Sequence, residues 1–141
     1  MTSILRAGGT NFDVAAFVKE TSLVPDSLWR KGEKRFPRSK TSDAVNITSG
    51  VRFIASKFDF SELSKQIEEA TAFLLQHHET IKVLASFPGV EAAVLDFGAE
   101  VYPPGWASFT FPPELLALAG SAGVSLCLSV YPTESNPDAD A

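Results

Sequence analysis

The longest hydrophobic pattern in the chain runs from Asp59 to Pro88 and has the period of an α-helix. Asp59 or Ser61 can cap its start, Glu62 lies three residues after Asp59 as a capping box requires, and Pro88-Gly89 ends it. One stripe of this helix recurs in steps of four and three residues: Leu63, Ile67, Ala70, Leu74, His77, Ile81 and Leu84. The pattern predicts one long amphipathic helix that lies on a sheet or against a partner helix.

Several shorter segments have the patterns of β-strands. The clearest is 124–130, where every second residue is apolar. Ser49-Gly50 is a turn signal, so 45–48 and 51–56 are predicted to form either a hairpin or one longer bent strand. The other predicted strands are 3–7, 27–30, 90–97 and 106–111.

The order of these elements indicates the α+β class, because helices alternate with hairpin-length connections rather than strictly with strands. Short helices are predicted after Asn11 and at Glu114–Ala119, where Pro113 suits the first turn. We expect a mostly antiparallel β-sheet of about five to six strands, with one long and two short helices packed on it. Residues 1–132 are predicted to form this single domain, and the acidic segment 133–141 a flexible C-terminal tail.

The composition agrees with one globular domain, since 45% of the 141 residues are hydrophobic and 21% are charged. Cys127 is the single cysteine, which excludes an intrachain disulfide and a four-cysteine zinc site. No apolar leader pattern follows the first residues, so we expect a cytoplasmic protein. The uncharged stretch 115–131 is shorter than the ~20 residues of a membrane span and is broken by Gly120 and Gly123, so we expect no membrane partner.

The net charge of −5 is distributed unevenly along the chain. Residues 1–57 hold ten basic and five acidic residues, whereas residues 58–141 hold two basic and twelve acidic residues. Such an asymmetry creates a field across the domain if the fold separates the two halves in space.

The sharpest functional feature is a basic loop interleaved with aromatic residues. It comprises Trp29, Arg30, Lys31, Lys34, Arg35, Phe36, Arg38 and Lys40. Three interpretations stay open. The loop can be a solvated surface, or it can dock an acidic protein with Trp29 as a buried anchor beside Arg30. It can also bind nucleic acid, with cations on phosphates and rings on bases, although the acidic net charge favours the other two interpretations.

The acidic half of the chain offers a different surface. Its carboxylates can form a negative face that mimics the charge pattern of phosphates and steers a basic enzyme onto an inhibitor. The residues concerned are Glu62, Glu68, Glu69, Glu79, Glu91, Asp96 and Glu100. For any one of them taken alone, a solvated helix face is the default interpretation.

No catalytic, cofactor or metal site is predicted. The adjacent residues His77 and His78 point about 100° apart on a helix and cannot share an ion as an i, i+4 pair does. Cys127 lies between serines on an apolar strand, unlike a reactive thiol in an electropositive place. The chain contains no phosphate-binding glycine motif. A small enzyme is a further alternative, with a polar site built from Tyr102, Trp106, Tyr131 and nearby carboxylates.

Several segments, in this order and spacing, resemble a bacterial family. They are the Pro-then-Lys-Gly segment 23–33, the long helix leading to a strand from Gly89, the run Phe111–Ala119, Gly123, and a last strand ending in Val130-Tyr131. Over residues 3–131 the chain resembles the family labelled domain of unknown function 4279. The resemblance implies a small cytosolic α+β protein without established catalytic residues. Members of the family are thought to include immunity proteins of bacterial toxin systems.

We therefore expect a non-enzymatic protein-binding domain, most simply an immunity-type inhibitor that occludes a bacterial toxin. A nucleic-acid-binding module that uses the loop 29–40 is the alternative. The chain is expected to be a monomer or a homodimer and to need no cofactor. The predicted partner-binding residues are Trp29, Arg30, Lys34, Arg35, Phe36, Arg38, Glu69, Glu79, Glu91 and Asp96.

Overall fold

The computed structural model describes residues 2–134, which form a single five-stranded sheet and four helices. The strands are β1 (Ser3–Gly9), β2 (Ser27–Trp29), β3 (Ser49–Ser56), β4 (Ala92–Val101) and β5 (Ser125–Pro132). They lie in the order β2-β3-β1-β4-β5, and every neighbouring pair is antiparallel except β4–β5. The predicted α+β fold with a mostly antiparallel sheet is therefore confirmed.

The helices are α1 (Val14–Glu20), α2 (Leu63–Gln76), α3 (His78–Ser86) and α4 (Pro113–Ser121). The last of them lies between β4 and β5 in the chain, which is the crossover that a parallel pair of strands requires. Pro113 occupies the first turn of α4, where its missing N–H costs no helix hydrogen bond.

The predicted long helix is interrupted at His77, so its two halves are the separate helices α2 and α3. His77 has φ −112° and ψ 19°, outside the helical range. Hydrogen bonds still cross the break, from His77 N–H to the Phe73 carbonyl and from Ile81 N–H to the His77 carbonyl. The buried stripe continues on both sides of the break. Its period was therefore read correctly, but the prediction of one long and two short helices was wrong.

Two predicted strands, 45–48 and 106–111, are irregular segments. Val45 forms only an isolated bridge with Lys34, and β3 begins at Ser49 instead of turning there. The hairpin prediction for 45–48 and 51–56 was therefore wrong, because the neighbour of β3 on that side is β2. Ile47 is 78% exposed. An alternating pattern forms a strand only where a sheet edge can pair with it and a core can cover one of its faces.

The core lies between one face of the sheet and all four helices. Along β1 the burial alternates strictly, as expected for a strand with one covered face. Three phenylalanines, Phe12, Phe17 and Phe87, pack edge-on in one cluster beside α1. The large side chains that are fully buried between the layers are Leu5, Phe17, Val51, Phe53, Leu74, Ile81, Leu84, Leu95, Phe97 and Leu115.

A buried glutamine fastens α2 to the sheet. Gln66 Nε2 donates to the Gly98 carbonyl at 3.0 Å and to the Asp59 carbonyl at 2.6 Å, and its Oε1 accepts from Gly98 N–H at 3.2 Å. Gly98 lies beyond Asp96, the last residue of β4 that pairs with β1. The Gln66 amide therefore bonds the backbone of β4 where β1 no longer does.

No helix within residues 2–134 combines the length and the apolar character that crossing a membrane requires. At the end of β5, Thr133 N–H donates to the Val101 carbonyl at 2.8 Å. The predicted flexible tail falls mostly on residues 135–141, which lie outside the described residues.

Replacing Gln66 with leucine should destabilise the protein by about 2–4 kcal/mol, because it leaves the buried N–H and carbonyl of Gly98 without their bonds and removes one of the two bonds to the Asp59 carbonyl. The free energy of unfolding, measured by urea denaturation, tests this. Gln76→Leu, at an exposed position of the same helix, is the matched control and should change stability by no more than about 0.5 kcal/mol. Equal effects of the two substitutions would contradict the assigned role.

Candidate functional site

The face of the sheet opposite the helices, here called the open face, carries the arginines of the central strands β1 and β3 and the tryptophan of the edge strand β2. The register places Arg6 beside Arg52, Ile4 beside Ile54 and Gly8 beside Gly50 across β1 and β3. Directly opposed residues lie on the same face of a sheet. The other residues in line with this face are Trp29 of β2, Val94 and Asp96 of β4, and Cys127, Ser129 and Tyr131 of β5.

Trp29 is fixed against the sheet by two glycines. A Cβ atom on Gly50 would lie 2.1 Å from Trp29 Cζ2, and one on Gly8 would lie 3.3 Å from the same atom. The ring therefore fills the space that these two residues leave by having no side chain. Trp29 Nε1 donates to Thr48 Oγ1 at 3.1 Å. The aromatic ring of Trp29 is thus held in one position on the open face.

Two arginines stand side by side at the centre of this face. Arg6 Nη1 donates to Asp96 Oδ2 at 2.8 Å, and Asp96 Oδ1 accepts from Ser129 Oγ at 2.7 Å. Arg52 is exposed, and its side chain has no hydrogen bond or ion pair with any residue of 2–134. Asp96 therefore neutralises the charge of Arg6 and not that of Arg52.

Arg52 lines three depressions: one of about 240 Å³ beside Asp26 and Ile54, and two that reach the basic loop and Arg6. Of the latter two, one, of about 510 Å³, lies between the sheet and the basic loop and is lined by Trp29, Arg35, Asn46, Thr48 and Arg52, together with exposed Val45 and Ile47. The other, of about 200 Å³, contains Arg6, Arg52 and Asp96. Both are shallow concavities in which cations lie beside apolar or aromatic side chains.

Backbone hydrogen bonds hold the basic loop at the rim of the open face. Gly32 N–H donates to the Asn46 carbonyl at 2.8 Å, and Arg35 N–H donates to the Ala44 carbonyl at 2.8 Å. Phe36 is 52% exposed and lies 5.6 Å from the guanidinium carbon of Arg35. The structure thus brings the predicted residues Trp29 and Arg35 together. The remaining predicted residues of the loop, Arg30, Lys34 and Arg38, are exposed.

The four predicted acidic residues do not share one surface. Glu69 of α2 accepts from Ser56 Oγ at 2.8 Å, and Glu79, in the first turn of α3, has an 89% exposed side chain. Asp96 lies on the opposite side of the sheet, on the open face. Glu91 lines the rim near Gly9 and Trp29. These four carboxylates therefore do not form a single negative patch.

A serine–histidine–carboxylate series connects α3 and α4 without the features of a nucleophilic site. His78 Nε2 lies 2.7 Å from Ser121 Oγ, and His78 Nδ1 lies 3.5 Å from Glu79 Oε1. The Ser121 hydroxyl donates to the Leu118 carbonyl at 3.1 Å, so its lone pair accepts from His78. Ser121 is the last residue of α4, where the negative end of the helix dipole disfavours an oxyanion. The contact is a polar link between helices.

Of the remaining chemical candidates, Tyr102 donates to Glu100, which is in register with Tyr131, whereas His77 and Cys127 lie in different layers of the fold. His77 packs on the Phe73 ring at 5.0 Å, and Cys127 is half-buried on β5. Among residues 2–134, no three His, Cys, Asp or Glu side chains are grouped so that they could hold a metal ion.

The chain matches no protein-family model, no curated protein and no solved structure. The function is therefore argued from the geometry of the open face.

Sequence analysis overlooked Arg6 and attached no function to Arg52. Each is an isolated basic residue at a polar position of an alternating strand. The available signal was that Arg6 and Arg52 become neighbours if 3–7 and 51–56 pair antiparallel, as β1 and β3 do.

Thr48→Val should release the Trp29 indole from its hydrogen bond and raise the exchange rate of its Nε1 proton with solvent. We expect a stability loss of about 1 kcal/mol, the usual value of one such bond. NMR of the indole protons measures the exchange. Trp106, which is 83% exposed, supplies the fast-exchange reference in the same spectrum. An unchanged Trp29 rate would contradict the anchoring role of Thr48.

Hydrogen bonds from Thr10 lower the pKa of Glu91. The larger cause is the Thr10 hydroxyl, whose Oγ1 lies 2.7 Å from Glu91 Oε1, and the second is the Thr10 backbone N–H. Both bonds favour the charged carboxylate. Their contribution to stability is present above the ordinary pKa and is lost as the pH falls through the lowered folded-state pKa.

Thr10→Ala should therefore raise the pKa of Glu91 towards its ordinary value, and an NMR titration of the side-chain carboxyl measures this. The pKa of Asp59, lowered by hydrogen bonds from Ser61, should stay low in the same titration and serves as the control. An unchanged Glu91 pKa would show that the hydroxyl is not its cause.

Proposed function

We propose that this chain is a non-enzymatic protein-binding domain that docks an acidic surface of a protein partner on its open face and the adjoining basic loop. The observation that carries the proposal is a fixed tryptophan beside cations that have no carboxylate of their own. Trp29, Arg35 and Arg52 line one depression of about 510 Å³.

Charge supports an acidic partner. Three carboxylates near the open face have hydrogen-bond partners within the chain, but only Asp96 is paired with a cation. Asp96 binds Arg6 and Ser129, Glu91 binds Thr10, and Asp26 accepts from Ile54 N–H at 2.6 Å. In contrast, Arg52 and the cations of the basic loop form no ion pair with any residue between 2 and 134. The surface available to a partner is therefore basic, although the whole chain carries −5.

The residue types also suit a protein interface. Tryptophan and arginine are the side chains most enriched among residues that dominate binding energy. Trp29 loses little conformational freedom on binding, because Gly8, Gly50 and Thr48 already hold it in place. The cations around it would accelerate and orient the encounter with a negative surface.

The immunity-type role is the more specific form of this proposal. Its support is the resemblance in sequence order and spacing described above. In this form, the open face and the loop would cover an acidic part of a toxin and block access to its active site. In this proposal the cations of the open face and the loop contact the toxin, whereas the sequence suggested a negative face for the same role.

Nucleic-acid binding is the second candidate, and the exposed ring of Phe36 among the loop cations favours it. It predicts a steep fall of affinity with salt, in proportion to the number of phosphates contacted. The same experiment separates the two candidates.

The test is affinity purification of the tagged chain from its own host at low salt, followed by identification of what is bound. The face variant is Arg35→Gln/Arg52→Gln. The control variant, Lys19→Gln/Lys82→Gln, removes the same charge from exposed positions of α1 and α3. Any captured protein is then produced separately, and its affinity for the three forms is measured by calorimetry.

We expect one stoichiometric protein partner whose affinity for the face variant falls about tenfold or more per arginine, while the control variant binds as the native chain does. A partner that binds the face variant with native affinity would overturn the proposed surface. Capture of nucleic acid instead, released by high salt, would support the second candidate.

A further inference from the structure

We infer that Arg6 and Arg52 together form a binding subsite for one carboxylate side chain, an aspartate or glutamate of the partner. This inference rests on the proposed function and specifies what the open face recognises. The group recognised is a single negative charge presented by a protein.

The arrangement of charge supports a subsite for an anion. Arg6 and Arg52 are directly opposed across β1 and β3, and like charges in that position disfavour the sheet. Asp96 is bonded to Arg6, and its second oxygen is bonded to Ser129. Arg52 receives no carboxylate from residues 2–134. An anion from outside the chain that contacts both guanidinium groups would remove the repulsion.

The space available also supports a subsite for an anion. The depression of about 200 Å³ contains both arginines and Asp96 and is walled by Ile4, Ser129 and Tyr131. The Ser129 hydroxyl and one Asp96 oxygen are already paired, so the arginines supply the donors for an incoming group.

The net charge of the depression favours a ligand with a single negative charge. With Asp96 of the neighbouring strand β4 bonded to Arg6, the two arginines and this carboxylate give the depression one net positive charge. A carboxylate carries one negative charge and matches it. A phosphate dianion would place a second negative charge beside Asp96, and like charges repel at this distance. The subsite therefore favours a carboxylate over a phosphate.

The two arginines differ in their contribution. The Arg6 side chain is 42% exposed and is oriented by its bond to Asp96. Arg52 is exposed and without a bond to the described chain, so its planar guanidinium is free to meet a carboxylate with two parallel bonds. Arg52 is thus the residue whose loss should remove binding with the least disturbance of the sheet.

The experiment uses a capped glutamate, N-acetylglutamate methylamide, as the probe, with the capped glutamine as its uncharged match. Amide and arginine Nε signals of the labelled full chain are followed by NMR at low salt. We test the native protein, Arg52→Gln, and the control Arg38→Gln, which removes an exposed cation of the basic loop that does not line the depression. Inorganic phosphate is titrated in parallel.

We expect shifts confined to the signals of Arg6, Arg52 and their neighbours, with a dissociation constant of about 10 mM or tighter for capped glutamate. Arg52→Gln should weaken binding by about tenfold or more, and Arg38→Gln should leave it unchanged. Without ligand, Arg52→Gln should melt at the same or a higher temperature, because the like-charge pair is gone. A purely structural Arg52 would instead lower the melting temperature.

Equal shifts with capped glutamine, or tighter binding of phosphate than of capped glutamate, would overturn the carboxylate subsite. Since the probe replaces the partner, this result is independent of the purification experiment. If capped glutamate binds but the purification finds no protein partner, the proposed function is rejected and the subsite is retained. A partner whose affinity depends on Arg35 and is insensitive to Arg52→Gln would reject the subsite alone.

Discussion

Strand β1 hydrogen-bonds to β3 on one side and to β4 on the other, and the pleat of this central strand assigns the faces of the molecule. Leu5 and Ala7 point into the helical layer, so Arg6 between them must point away from it. Because opposed residues share a face, the same assignment carries through to β3 and β4. All four helices then bury one side, and the other side keeps its arginines, Trp29 and Asp96.

The open face combines the tryptophan ring, which is held in one position, with an arginine whose charge no described residue neutralises. Gly8 and Gly50 have no side chains to pack on this face, and the Trp29 ring takes that space. The adjacent arginine pair contributes repulsion in place of packing. Natural proteins retain unfavourable arrangements of this kind where binding depends on them. The combination of an ordered aromatic ring with Arg52, which has no ion pair among residues 2–134, is what distinguishes this face from an ordinary solvated sheet.

Elements with a strong period and a buried face were predictable from the chain alone. The stripe from Leu63 to Leu84 packs as expected, and the strand at 125–132 forms where the alternation indicated it. The wrong strand predictions fell on segments without such a face. Residues 45–48 alternate as a strand does, yet Ile47 remains exposed because no sheet covers it. The break at His77 left no signal in the period, because both halves of the stripe face the same core.

The sequence by itself determined the fold class, the buried stripe and the basic loop, because these depend on local propensity and on the spacing of apolar residues. It also pointed to Trp29 and Arg35 as members of an interaction surface. The tertiary structure alone decided that Arg52 lines the same depression as Trp29 and Arg35 and that Arg6 stands beside Arg52. Which strands become neighbours depends on contacts between residues far apart in the chain. The period of a strand reports which residues share a face and carries no information about its partner.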